Sequence, residues 1–142
     1  MPPVPVPPEV SEFLAKPNPA VVATVSPSGA PHTAATWYDW EDGRVLLNMD
    51  ASRLRLAYLR QNPAVALTVL GARDWYRQIT LLGRVVSIEE DPDLAGIDRL
   101  SLRYTSRPFR NREAHRVSAW MKPDRWSGWP LPPLNGDGSR RA

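Results

Sequence analysis

Short apolar runs bounded by turn residues dominate the hydrophobic pattern of this chain. Residues 20–25 are a β-branched run closed by Pro27-Ser28-Gly29, the punctuation of a hairpin. Residues 31–39 supply the return strand, with Thr33, Thr36, Trp37 and Tyr38 all suited to a sheet. Glu41-Asp42-Gly43 turns the chain into a third strand over residues 44–49, and residues 64–70 make a fourth. A fifth is expected over residues 75–88, where Gly83 marks a bulge or sharp bend. Residues 117–121 read as a sixth, followed beyond Pro123-Asp124 by Arg125-Trp126-Ser127-Gly128-Trp129. Helical signals are fewer. Residues 8–15 carry proline and acids in a first turn, residues 52–61 stop at Asn62-Pro63, and residues 91–104 place Leu94, Ile97 and Leu100 on one face.

Six or seven strands joined by hairpin turns, with short helices between, predict a mainly β fold, an antiparallel barrel or sandwich. Strands and helices do not alternate regularly, and no G-x-G-x-x-G or Walker-type loop is present. A nucleotide-like ligand would be held some other way. The 142 residues suit one domain with one core, expected over residues 9–129. Residues 1–8 are a proline-rich, extended lead-in, and residues 130–142, rich in Pro, Gly and Ser, are expected to form a loose tail.

Composition narrows the chemistry. The absence of cysteine removes disulfides, thiol catalysis and zinc–thiolate sites and suits a cytoplasmic setting. No apolar stretch approaches a membrane span, and no signal-peptide pattern is visible. With only His32 and His115, no multi-histidine metal site is expected. The net charge of +3 raises the question of an acidic partner, yet the basic residues are dispersed and no helix-turn-helix, RNP or finger spacing appears, so nucleic-acid binding is not expected. Only Lys16 and Lys122 are lysines; the other basic residues are arginines.

One junction carries a conflict. Ser52 looks like the N-cap of the second helix, with Arg53 and Arg55 in its first turn. A helix start already bears about half a positive charge and unpaired N–H groups, which disfavours cations by roughly 0.3–1 kcal/mol each. A bound anion would remove the conflict, because amides and guanidinium forks both donate to phosphate. The alternative is that Asp50 pairs with one arginine while the other points into water.

The order of these elements and the residues at their joints resemble the pyridoxamine-phosphate-oxidase-like superfamily of split β-barrel flavin and deazaflavin oxidoreductases. The branch using the deazaflavin coenzyme F420 is the most similar. The resemblance runs from about Pro8 to Trp129. It rests on the hairpin from Val22 to His32, on Thr36-Trp37-Tyr38, and on Arg44-Val45-Leu46-Leu47-Asn48 followed by Ser52-Arg53-Leu54-Arg55. Leu59 to Leu67, Leu82-Gly83-Arg84-Val85 and the closing Met121 to Trp129 complete it.

The resemblance implies a split barrel of six to seven mostly antiparallel strands and a homodimer with cofactor sites at its interface. It implies hydride transfer from reduced F420 to a small or conjugated organic acceptor, with FMN as the alternative cofactor. Asn48, Arg53 and Arg55 would hold the cofactor phosphate, with Arg55 standing where many relatives have lysine. His32, Thr36 and Trp37 would line the ring. Trp75, Arg107, Arg110 and the Trp126–Trp129 segment are candidates to complete the partner's pocket. No catalytic side chain is assigned; Tyr38 or water would serve as a proton donor.

Simpler readings stand beside these. Trp37 suits core packing, Asn48 a satisfied strand position, and His32 a surface residue after the turn. His115, beside charged neighbours, is expected to be exposed. Arg107, Arg110 and Arg112 would bind a polyglutamate-like cofactor tail or form a solvated loop. A protein that sequesters a cofactor or binds haem without turnover is the non-enzymatic alternative.

Overall fold

Side-chain alternation decides the first hairpin. Strand β1 (Ala20–Val25) buries Ala20, Val22 and Thr24 and leaves the residues between them partly exposed. It pairs with β2 (Pro31–Thr36) in antiparallel register, Val22 opposite Ala34. The structure is a computed structural model and describes residues 1–129. The tail expected at residues 130–142 lies outside the described residues. The remaining elements, in chain order, are α1 (Pro8–Leu14) before β1, then β3 (Asp39–Glu41), β4 (Arg44–Asp50), α2 (Leu54–Gln61), β5 (Ala64–Leu70), β6 (Gln78–Glu90), α3 (Ala95–Thr105) and β7 (Arg116–Trp129).

All seven strands join one antiparallel sheet in the order β2-β1-β5-β6-β7-β4-β3. Its two edges, β2 and β3, are separated in sequence only by Trp37 and Tyr38. The three peptide steps from Thr36 to Asp39 span at most about 11 Å. The sheet must therefore curl until its edges approach, which makes it a split β-barrel. The expected single strand over residues 31–39 is thus two strands on opposite edges, with a crossover where Thr36 Oγ1 donates to the Trp37 carbonyl at 2.8 Å.

The main core lies inside the curl and includes Val22, Leu47, Met49, Leu67, Leu81 and Met121. Fully burying each such side chain stabilises the fold by about 1.5–3 kcal/mol. β4 is buried at five consecutive positions because both its faces are covered. Val45, Leu47 and Met49 face the main core, whereas Leu46 packs on Leu94, Ile97 and Leu100 around α3. Asn48 shares the Leu46 face, so strand geometry points this polar side chain toward α3.

Four boundaries differ from the sequence expectation, each for a local reason. Ser52 does not cap α2: its N–H and Oγ both bond Asp50 Oδ1, at 2.9 and 2.6 Å. Arg53 is the N-cap, with no side-chain cap bond, and Arg55 is the second helical residue. β6 begins at Gln78 rather than Trp75, because residues 71–77 form a tight turn in which Asp74 N bonds Gly71 O and Arg77 N bonds Asp74 O. α3 begins at Ala95, after Leu94 adopts a left-handed conformation (φ 64°). β7 runs unbroken through Pro123, opposite the register shift at Gly83. A Cβ on Gly83 would collide with backbone atoms of Lys122 and Pro123, so the glycine is what permits this pairing.

Beyond Met121, β7 has lost β4 as a neighbour. The proline-rich N-terminus covers that edge: Val4 N donates to Asp124 O and Trp126 N donates to Pro2 O, both at 3.1 Å.

Arg103 of α3 fastens the crossover. Its guanidinium donates to the carbonyls of Leu14, Ala15 and Lys16 at the end of α1 and to that of Tyr38. It therefore satisfies a helix C-terminus and stabilises it electrostatically. Arg103→Ala is expected to lower unfolding free energy by about 3 kcal/mol, since several carbonyls lose a charged donor together. Urea unfolding checks this; a loss under about 0.5 kcal/mol, the size of an ordinary surface substitution, would contradict it.

Candidate functional site

A cavity of about 460 Å³ opens beside the crossover, between the β1–β2 hairpin and α3. Pro19, Ala20, Ala35 and Thr36 line one side, and Asn48 and Arg116 line the other. Arg55 of α2, Ile97, Leu100 and Tyr104 of α3, and Phe109 complete it.

The cavity has two chemically distinct parts. One is a flat aromatic wall. Trp37 stacks on Tyr104 with ring centroids 5.5 Å apart and planes 9° from parallel. Tyr104 is held by its hydroxyl, which donates to the Asn18 carbonyl at 2.6 Å. Burial raises the pKa of that hydroxyl.

The other part is cationic. Arg55 and Arg116 both line the cavity, and Arg53 lies close enough for its charge to act on each. Burial, followed by repulsion from Arg53 and Arg116, lowers the pKa of Arg55 from its ordinary value. Burial likewise lowers that of Arg116. Among the described residues neither Arg53, Arg55 nor Arg116 forms an ion pair with a carboxylate. The amides of Leu54 and Arg55, at the open start of α2, also have no hydrogen-bond partner there. Asp50 forms no direct ion pair with the cluster: Ser52 engages its Oδ1 and holds its pKa low, while its charge acts on Arg116 and opposes the effect of burial there.

Behind the cations lies a buried polar network. Arg116 Nε donates to Asn48 Oδ1 at 2.9 Å. Asn48 Nδ2 donates to Asp91 Oδ2 at 3.0 Å and to Ser118 Oγ at 2.9 Å. Asp91 in turn accepts from the amides of Gly96 and Ile97, at 2.9 and 3.0 Å, and so caps α3. A Cβ on Gly96 would meet Ser118 Oγ and stand 3.1 Å from both Asn48 Nδ2 and Asp91 Oδ2.

Four of the six residues assigned from sequence meet here: Thr36, Trp37, Asn48 and Arg55 line the cavity. Arg53 flanks it as the α2 N-cap. His32 sits four cross-strand pairs beyond Thr36 along the hairpin, with its ring 5.8 Å from that of Tyr58, outside the cavity lining.

Tyr38 is fully buried and donates to the Leu14 and Lys16 carbonyls, and burial raises its pKa, so its proton is committed to the fold. Trp126 belongs to the main core. Trp75 is exposed on the β5–β6 turn. Arg107 and Arg110 are exposed, Arg112 forks onto Asp98 at 2.7 and 3.0 Å, and exposed His115 pairs with Glu90.

A family model described as pyridoxamine 5'-phosphate oxidase matches residues 6–130. The chain belongs to the pyridoxamine 5'-phosphate oxidase family. Among curated proteins none matches the sequence. Among solved structures, an F420 reductase shares 30% identity and superposes with a TM-score of 0.78, over 86% of this chain and 98% of its own. The conserved hypothetical protein Rv2991 of Mycobacterium tuberculosis shares 24% identity over 93% of this chain and 92% of its own, with a TM-score of 0.69. General stress protein 26 of Bacillus anthracis shares 22% identity over 84% and 93% of the two chains, with a TM-score of 0.61. The last two likenesses speak for the fold.

In this family member, sequence reasoning missed Arg116, Tyr104, Phe109 and Asp91. Arg116 had a usable signal: a cation placed immediately before an apolar strand run, where a partly buried charge needs a reason. The other three reach the cavity region only through tertiary folding.

Replacing a helical glycine by alanine ordinarily stabilises by about 1 kcal/mol. Gly96→Ala should do the reverse and destabilise this family member by about 1–3 kcal/mol, because the methyl group intrudes on a packed polar network. Chemical denaturation reads the sign directly, and a gain in stability would contradict the packing described.

Proposed function

We propose that this protein is an oxidoreductase that binds a phosphate-bearing deazaflavin, reduced coenzyme F420, and promotes hydride transfer to a small or conjugated organic acceptor. The single observation that carries the proposal is the cavity's composition. Guanidinium groups without carboxylate partners and an uncapped helix start lie at one part, and a stacked aromatic wall lies at the other. A planar ring joined to a phosphate ester has this distribution of chemistry. The family membership and the likeness to an F420 reductase support the same reading. FMN shares the ring-plus-phosphate design and is the alternative cofactor.

The residues present fit such a group. Arg55, Arg53 and the Leu54 and Arg55 amides would hold the phosphate. Trp37, Thr36 and Ala35 would bound the ring. When bound, the ring supplies the hydride chemistry, and the protein's part is to bind and orient. The aromatic wall and Pro19, Ala20 and Leu100 exclude water from one side of the cavity. Among the described lining residues there is no histidine, lysine, aspartate or glutamate, and the Tyr104 hydroxyl is committed to Asn18. A proton needed by the acceptor would therefore come from solvent or from a second copy.

The proposal includes a homodimer with the cavities at its interface. Val21, Ala23, Thr33, Ala35, Ala66 and Leu82 share one outward face of the sheet and carry no charge. Leu82 is 38% exposed there, and Ala35 also lines the cavity. Arg125, directly opposite Leu82, and Arg84, opposite Ala64, bound this apolar patch, and a patch of this kind suits a second copy of the chain. Leu82→Arg should shift the protein to a monomer in light scattering; a monomeric wild type would refute this part.

Titration of the purified chain with F420 and with FMN, followed by absorbance, tests the central claim and separates the two cofactors. Saturable binding is expected, and Arg55→Ala should raise the dissociation constant tenfold or more, about 1.5–3 kcal/mol for a lost charged hydrogen bond. Failure of both compounds to bind, or an unchanged constant in the variant, would count against it. Turnover with an enone or quinone acceptor would distinguish an enzyme from a cofactor-sequestering protein.

A further inference from the structure

We infer that Arg116 is a third phosphate-binding guanidinium of this cavity, and that Asn48 is a positioning residue that aims it and does not itself touch the bound molecule. The inference rests on the reading above of the cavity as a site for a phosphate-bearing cofactor.

Asn48 is 4% exposed and its hydrogen-bonding capacity is already assigned. A carboxamide has two N–H donors, and here one goes to Asp91 Oδ2 and the other to Ser118 Oγ. What remains is the oxygen, which accepts from Arg116 Nε. A carboxamide oxygen has nothing to donate to a phosphate and would repel it. Asn48 therefore serves the anion only through the arginine it orients.

Arg116 is the reverse case. Its Nε is committed to Asn48, while neither terminal nitrogen has a hydrogen bond or ion-pair partner among the described residues. The Phe109 ring lies 4.9 Å from the guanidinium carbon and covers one face of the group. Held through Nε and through one face, the side chain still has its terminal N–H groups to donate. It lines the same cavity as Arg55, whose charge it perturbs.

The nearest buried carboxylate does not cancel this charge by direct pairing. Asp91 is occupied by the Gly96 and Ile97 amides of α3 and by Asn48. The helix start absorbs much of its negative charge. The asparagine thus separates Asp91 from Arg116, so that the carboxylate anchors the network while the arginine remains available to an anion.

The test uses the full chain and three kinds of probe. These are phosphate-bearing ligands (FMN and F420), their phosphate-free counterparts (riboflavin and the deazaflavin riboside), and inorganic pyrophosphate. Arg116→Gln should weaken FMN or F420 about tenfold to a hundredfold and change the phosphate-free ligands less than about twofold. Asn48→Leu, with Asn48→Ser as the variant for use if the first does not fold, should weaken the same phosphate-bearing ligands. In the Arg116→Gln background it should add less than about twofold, because it acts through the arginine. Equal losses for FMN and riboflavin, no loss in Arg116→Gln, or fully additive losses in the double variant would overturn the inference. If the wild type binds no flavin or deazaflavin, pyrophosphate decides. Binding weakened by Arg116→Gln keeps the anion site while the cofactor reading falls, and no pyrophosphate binding ends both.

Discussion

Trp37 and Tyr38 carry the chain from one edge of the sheet to the other, and the shortness of that link fixes the shape of the molecule. A seven-stranded sheet whose outermost strands are two residues apart in sequence cannot lie open. It curls, its apolar inner face becomes the main core, and the cavity lies beside the link, with Trp37 in its wall. The link is secured from three directions. Tyr38 donates to the end of α1, Arg103 of α3 donates to the Tyr38 carbonyl, and Trp37 stacks on Tyr104. One of these contacts, the Trp37–Tyr104 stack, is also the cavity's aromatic wall, so fold and site share it.

The cationic part of the cavity follows a different logic. Cores and helix starts ordinarily avoid unpaired positive charge. Here Arg53, Arg55 and Arg116 converge beside an uncapped helix start, with mutual repulsion and no carboxylate pairing among the described residues. Asp91 is used by α3 and Asn48, and Asp50, whose Oδ1 is bonded by Ser52, acts on Arg116 through its charge without pairing with it. An arrangement that breaks a local rule without a directly paired carboxylate is characteristic of a binding site. The acidic ester proposed for this cavity would resolve that violation.

Much of the scaffold was legible in sequence, and the reason is periodicity. The runs over residues 20–25 and 64–70 are β-branched and bounded by turn residues, and they fold as β1 and β5 with the expected limits. Gly83 foretold the bulge opposite Pro123. The Arg53–Arg55 junction, too, stood out because a local rule was broken. What the sequence obscured was anything set by distant partners. Ser52 has the chemistry of an N-cap, yet Asp50 claims it first. Residues 31–39 read as one strand because nothing local reveals that Trp37 and Tyr38 cross from edge to edge. Arg116 joins Arg55 only because β7 pairs with β4, placing Arg116 opposite Asp50. Asn48 was singled out through the resemblance alone, and its partners at positions 91, 116 and 118 are invisible without the sheet register.

The central claim is that an acidic ester occupies the corner made by these guanidinium groups. The most direct measurement is a crystal structure of the protein with F420 or FMN bound, refined to show the phosphate oxygens. The account predicts those oxygens within hydrogen-bonding distance of the Arg55 guanidinium and of the amides opening α2, with the ring against Trp37. A phosphate seated elsewhere, with the corner filled by solvent alone, would contradict it.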